Sequence, residues 1–191
     1  VDTLYLGFNG PAAVSVNSTA NDYSVFANDA SVGTELWNNP QRARVGNGSY
    51  ATTFLTKTTA EASQYLKATG FTFDIPQNAE INGIEVQILK SNSCVCIKDN
   101  SIKLVKNGIL DGEDRANTNV WPNPDAYIAH GGASDLWGLS LTPADINASD
   151  FGVVISATNA TTGQSVAGID NIKITVYYTE IEHSLLYAVN K

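Results

Sequence analysis

The 191-residue sequence has no methionine, only two cysteines and few charges. Charged residues make up 16% of the chain, against ~25% in an average domain. Its polar surface must therefore come from Asn, Thr, Ser and Gly, a bias that suits β-structure rich in turns. Basic residues are the scarcer charge: 11 Lys and Arg stand against 19 Asp and Glu, giving a net charge of −8, and none precedes Arg42. That balance excludes nucleic-acid binding driven by phosphate neutralisation and argues against anionic membrane surfaces. No uninterrupted apolar run approaches the ~20 residues of a membrane span, so no membrane insertion is expected. No stretch reads as a signal peptide. The start at Val1 fits a removed leader, a clipped initiator Met or numbering that begins inside a longer precursor.

Catalytic signatures are missing as well. There is no G-x-S-x-G elbow, H-E-x-x-H, P-loop or G-x-G-x-x-G. His130, beside Gly131 and Gly132, is the one histidine placed to act as a loop base, and Asp135 follows five residues later. A carboxylate pair could run glycoside hydrolysis, but 19 acidic side chains permit that in any chain. No enzyme is expected. Cys94 and Cys96 are too few for a zinc site without histidine partners, and His130 and His183 lie in no ligand spacing. In an extended strand they would share a face one pleat apart, a poor geometry for bonding. They read as two reduced or buried thiols, with a strained local disulfide or an intermolecular one as the alternatives.

What is present is alternation. "GIDNIKITVYYTE" puts Ile172, Ile174, Val176 and Tyr178 on one face and Asn171, Lys173, Thr175 and Tyr177 on the other. "AEINGIEVQILKS" places Ile84, Val86 and Ile88 on one face, "NSIKLVKNG" does so for Ile102 and Leu104, and "FGVVISATNA" for Phe151, Val153 and Ile155. A strand is expected from about Ser49 to Leu55, and another in "GFTFDIP", with Phe71, Phe73 and Ile75 on one face. Residues 61–68 carry no clear apolar stripe, and no element is assigned there. "LTPADIN" reads as one helical turn, with Thr142 as N-cap, Pro143 at the first position and Asp145 three residues after the cap. Short period-two runs separated by Gly, Pro, Asn and Asp predict an all-β fold, an antiparallel jelly-roll-like β-sandwich. The length suits one domain spanning residues 1–191, and it buries roughly 70% of the unfolded chain's surface without needing a metal or disulfide.

Residues 1–33 are nearly uncharged. Leu4, Leu6 and Phe8, then Val14 and Val16, form two short alternations split by Asn9-Gly10-Pro11. They predict extra strands or an arm that joins a neighbouring copy. Crowded oxygen ligands at Asp111, Glu113 and Asp114 offer a candidate calcium loop, although the EF-hand pattern is absent. Trp121 and Trp137, with Asp135 nearby, sit in turn-rich stretches and offer a stacking platform for sugar rings. Tryptophans closing the ends of a sandwich are the bland alternative. Asn17, Asn47, Asn147 and Asn159 each head an N-x-S/T triplet, which matters only where the host glycosylates its surface proteins.

From Trp37 onward the stretches "WNNPQRA", "YLKATGFTFDIPQNAEINGIEVQI", "DNSIKLVKNG", "GGASDLWGLSLTPADINASDFGVVISA" and "IDNIKITVYYT" resemble a sandwich-type β domain. That domain occurs in virion-associated proteins of tailed phages and in bacterial surface proteins. The resemblance implies a non-enzymatic structural or adhesive module, often in large symmetric assemblies, located on a virion or a cell surface. It carries over no catalytic or binding residues. Copies of the same chain, or other virion or surface proteins, are the partners it implies. A glycan- or receptor-binding module is the alternative expectation.

Overall fold

The computed structural model describes residues 12–19, 24–57, 61–94, 96–160 and 163–180. Its strands are β1 (Ala12–Thr19), β2 (Val25–Asp29), β3 (Ala51–Lys57), β4 (Tyr65–Thr69), β5 (Ala79–Asn92), β6 (Ile97–Lys106), β7 (Ile109–Asp111), β8 (Ala126–Gly131), β9 (Gly152–Asn159) and β10 (Gly163–Glu180). A 3-10 turn covers Pro40–Arg44 and one short helix, α1, covers Pro143–Asn147.

The strands make two five-stranded sheets. One runs β8–β5–β10–β1, with β3 also paired to β10; the other runs β2–β4–β9–β6–β7. Every strand pairing is antiparallel. From β2 to β10 the chain changes sheet at nearly every step. The fold is the expected all-β sandwich. Its core forms where the two alternating faces meet. Ile84, Val86, Ile88, Ile172, Ile174 and Val176 from one sheet lie in the same buried cluster as Leu66, Ile102, Leu104, Val153 and Ile155 from the other.

β10 is the spine of the first sheet. One of its edges is shared by two strands, β3 along Gly163–Ile169 and β1 along Lys173–Glu180. β5 occupies the other edge almost throughout. A register shift after Ile169 frees Asp170, whose carboxylate accepts from the backbone N–H groups of Asn47 and Gly48 and ties down the loop before β3. The face of β10 away from the core is partly covered. Asn171 accepts from Tyr127 Oη at 3.0 Å and donates to the Arg44 carbonyl at 2.8 Å, while Lys173 Nζ sits 4.2 Å from the Tyr127 ring centroid. Thr175 is 9% exposed. Lys173 and Tyr177 on the same face are half-buried.

Local chemistry explains the turns. Asn107 and Gly108 both have positive φ, 52° and 74°, as a two-residue type I′ hairpin between β6 and β7 requires. α1 carries a complete capping box: Thr142 Oγ1 accepts from Asp145 N, and Asp145 Oδ2 accepts from Thr142 N at 2.9 Å.

Two expectations meet a different outcome. "GFTFDIP" is not a strand; the strand is β4, just before it, and Gly70 at φ 75° breaks the run. Phe71, Phe73 and Ile75 are buried nonetheless. The Asn147 side chain takes the place of a ladder partner, accepting from Ile75 N and donating to Ile75 O, each at 2.8 Å. β5, which follows it, pairs with β10 and β8. The Cys94 and Cys96 sulfur atoms stand within bonding distance of each other, the arrangement of the local disulfide that was the alternative to two thiols. Cys96 N donates to Cys94 O at 2.9 Å, and the two Cα atoms stand 5.3 Å apart, inside the range a disulfide spans.

Candidate functional site

The chemically richest place is inside the sandwich. On β5, the phase that buries Ile84, Val86 and Ile88 also points Lys90 inward. On β6, Ile97 and Asp99 share the inward phase before the register shift that follows Asp99. On β8, His130 is the inward residue. Strand parity thus drives one cation, one carboxylate and one imidazole into the space between the sheets. Lys90 and Asp99 side chains are 1% and 0% exposed.

These groups satisfy one another. Lys90 Nζ donates to Asp99 Oδ1 at 2.5 Å and lies 5.0 Å from the Trp121 ring centroid. Trp121 Nε1 donates to the same oxygen at 2.7 Å. Asp99 Oδ2 accepts from Asn117 N at 3.1 Å and stands 3.8 Å from His130 Nε2. His130 Nε2 is 3.2 Å from Lys90 Nζ, and its Nδ1 is 2.9 Å from the Arg115 carbonyl oxygen. A carbonyl only accepts, so Nδ1 bears the hydrogen and Nε2 presents its lone pair to the ammonium. Burial pushes the Lys90 pKa down, against the pull of Asp99. Burial also pushes the His130 pKa down, and the neighbouring Lys90 charge adds to it. Both shifts favour the uncharged amine and imidazole.

The sequence-predicted calcium loop is dispersed. Asp111 accepts from Gly112 N. Glu113 pairs with Arg115 at 2.7 Å. Asp114 accepts from Ser101 Oγ, Ile102 N and Ala116 N. The three carboxylates serve three separate structural tasks. Among the described residues no group of three or more His, Cys, Asp and Glu side chains converges on a metal-sized site.

The sugar platform is corrected too. Trp121 and Trp137 are 2% and 0% exposed, so neither offers a face to a ring. Trp121 is held by Asp99, and Trp137 Nε1 donates to the Ile84 carbonyl at 3.0 Å. Asp135 takes a two-pronged bond from Arg115, Nε and Nη2 each at 2.7 Å, while also accepting from Trp137 N. It is a brace for the Trp137 loop, and His130, expected as a loop residue, lies buried on β8. Asn147 and Asn159 point into internal hydrogen bonds and are poor glycan acceptors in the folded chain. One open hollow, about 450 Å³, is lined by Glu80, Leu136, Leu141 and Thr142 among others, and brings a single carboxylate.

Of the residues expected to mediate assembly, Leu4, Leu6 and Phe8 lie outside the described residues. Val14 and Val16 fall in β1, paired with Tyr178 and Val176 of this same chain. The surface does carry another apolar feature. Val25 on β2, Phe54 on β3, Ile109 on β7 and Tyr127 on β8 are exposed. All four strands stand at sheet edges.

Sequence reasoning passed over Lys90 and Asp99. The signal was available: each is a charge in phase with an apolar strand face, and such a residue is buried only with a partner. No protein-family model matches the chain, and no curated protein is significantly similar to it.

Proposed function

We propose that the chain is a non-enzymatic structural subunit of a virion or an extracellular surface assembly, joined to its neighbours through sheet edges. One observation carries this reading. Each edge strand whose side chains are described displays an exposed apolar residue: Val25, Phe54, Ile109 or Tyr127. Sheet edges are where proteins that stay single place charge, proline or cover. Apolar side chains there favour contact with another chain. Among the described residues nothing pairs with the outer backbone edge of β8, which leaves room for an added strand. The resemblance to sandwich domains of phage virions and bacterial surfaces belongs to the same proposal. It is supported further by carboxylates and tryptophans that are engaged in bracing the fold.

Native mass in solution and direct imaging test it. The wild-type protein is expected to form a defined oligomer, shell or filament. A Phe54→Lys, Ile109→Lys double variant is expected to fall to monomer with an unchanged melting temperature. A wild-type chain that stays monomeric at high concentration refutes the reading.

A further inference from the structure

We propose that Lys90 and Asp99 condense within the folded domain into an amide, a covalent cross-link between the two sheets made by the protein on itself. The inference goes beyond the assembly role and stands or falls without it.

The geometry brings the two groups that would react side by side. Lys90 Nζ is 2.5 Å from Asp99 Oδ1. One carbonyl bond farther puts it at most about 3.7 Å from the carboxyl carbon, near the ~3–3.5 Å of reacting atoms held for attack. Both side chains are almost wholly shut off from solvent. Exclusion of water matters doubly, because water is the product that would reverse the step and the solvent that would keep both groups charged. Burial favours the neutral amine, which is the nucleophile.

The surrounding groups match the requirements of acyl transfer. His130 Nε2, with its lone pair facing Nζ at 3.2 Å, is placed to take a proton from the ammonium. The same nitrogen is 3.8 Å from Asp99 Oδ2, the oxygen that must be protonated to leave. Trp121 Nε1, 2.7 Å from Oδ1, donates to the oxygen on which negative charge grows when the carbon becomes tetrahedral. The balance closes without a co-reactant. An ammonium and a carboxylate become an amide and one water. The C–N bond forms and the carbon–Oδ2 bond breaks. One of the three ammonium protons stays on the amide nitrogen, and two leave with Oδ2, relayed through His130. The amide oxygen keeps its bond from Trp121.

Such a bond would join β5 to β6 at the corner where the chain passes from one sheet to the other. It would make permanent a contact that otherwise depends on a buried ion pair.

Mass spectrometry of the full chain, reduced and denatured after incubation under native conditions, decides the matter. The expected mass is one water below that of the sequence. Trypsin is expected to spare the bond after Lys90 and to yield residues 68–98 joined to residues 99–103. Asp99→Ala is expected at full mass, with Lys90 cleaved normally where the variant folds. His130→Gln is expected to slow formation by roughly 10²-fold or more, seen as uncross-linked chain in fresh preparations. A wild-type chain at full mass, with trypsin cutting after Lys90, overturns the proposal and leaves an ion pair. A lost water that maps elsewhere, such as a cyclised Asp111-Gly112 step, overturns it equally. The wild-type measurement stands even if both variants fail to fold.

Discussion

Replacing Asn147 by Ala tests whether one side chain takes the place of a missing β-partner. The amide makes two hydrogen bonds of 2.8 Å to the backbone of Ile75, which is 1% exposed. Truncation removes both and leaves a buried N–H and a buried C=O with no partner from that side. Each lost bond carries a net ~1 kcal/mol, and an orphaned buried group adds ~1–3 kcal/mol, so a total cost of about 2–4 kcal/mol is expected once water partly re-solvates the gap. For a chain of this size that lowers the melting temperature by roughly 10 °C. Urea unfolding, followed by tryptophan fluorescence, gives the free energy directly through the midpoint at constant slope. Asn147→Asp sharpens the test. Its carboxylate keeps the acceptor for Ile75 N but sets a second oxygen against the Ile75 carbonyl. Protonation restores a donor, so the folded-state pKa is raised above the unfolded one. The stability gained on protonation is complete below the unfolded pKa and is lost as pH rises through the folded one. Asn147→Asp is therefore expected to resemble Asn147→Ala at neutral pH and to recover toward wild type in mild acid. A loss below about 1 kcal/mol for Asn147→Ala, or an Asp variant insensitive to pH, refutes the substitute-partner account of residues 71–75.

Two further outcomes follow from the brace around Trp137. The Asp135 pKa lies below its ordinary value, chiefly because of the bonds from Arg115; its contribution is therefore present above the unfolded pKa and lost as pH falls through the folded one. Arg115→Ala should cost only about 1 kcal/mol, since both side chains are 28% exposed, and should flatten the acid limb of the stability profile in urea titrations between neutral pH and pH 3. Trp137→Phe keeps most of the core volume but removes one of two donors to the Ile84 carbonyl, which keeps its bond from Gly132 N at 3.0 Å; a destabilisation of only about 1 kcal/mol is expected from calorimetry, and a loss above about 3 kcal/mol would mean that Gly132 alone does not satisfy this carbonyl.

The elements with strong alternation were legible. β5, β6, β9 and β10, the Asn107-Gly108 turn and the Thr142 capping box all lie where local pattern and tertiary need agree. Residues 65–75 were misread because the clear alternation, Phe71, Phe73 and Ile75, lies after Gly70, whereas the segment that joins the sheet carries no clear stripe; the partner that replaces a ladder at Ile75 is Asn147, distant in sequence. β8 escaped because its outward positions include Ala129 and Gly131, which give little alternation to read. Trp121 and Trp137 sit among turn residues that read as surface. Their burial depends on Asp99 and on the Ile84 carbonyl, partners that no local pattern names. The Lys90–Asp99–His130 group spans three strands, and its convergence follows only once their register is known.

β10 has a consequence for how the protein is made. Strands β1, β3 and β5 all pair with β10, and Ala12 meets Glu180. Synthesis proceeds from the amino end, so residues 163–180 emerge after all the strands they organise. The sheet containing β2, β4, β6, β7 and β9 has its whole strand set once residue 159 has left the ribosome. In the other sheet only the β5–β8 pair can form by then. Half of the sandwich can therefore assemble during translation, while the other half waits with its inner face uncovered. A nascent chain stalled just before Gly163 would present that apolar face to chaperones, and the last eighteen residues of the described structure would act as the closing strip that ends the exposure.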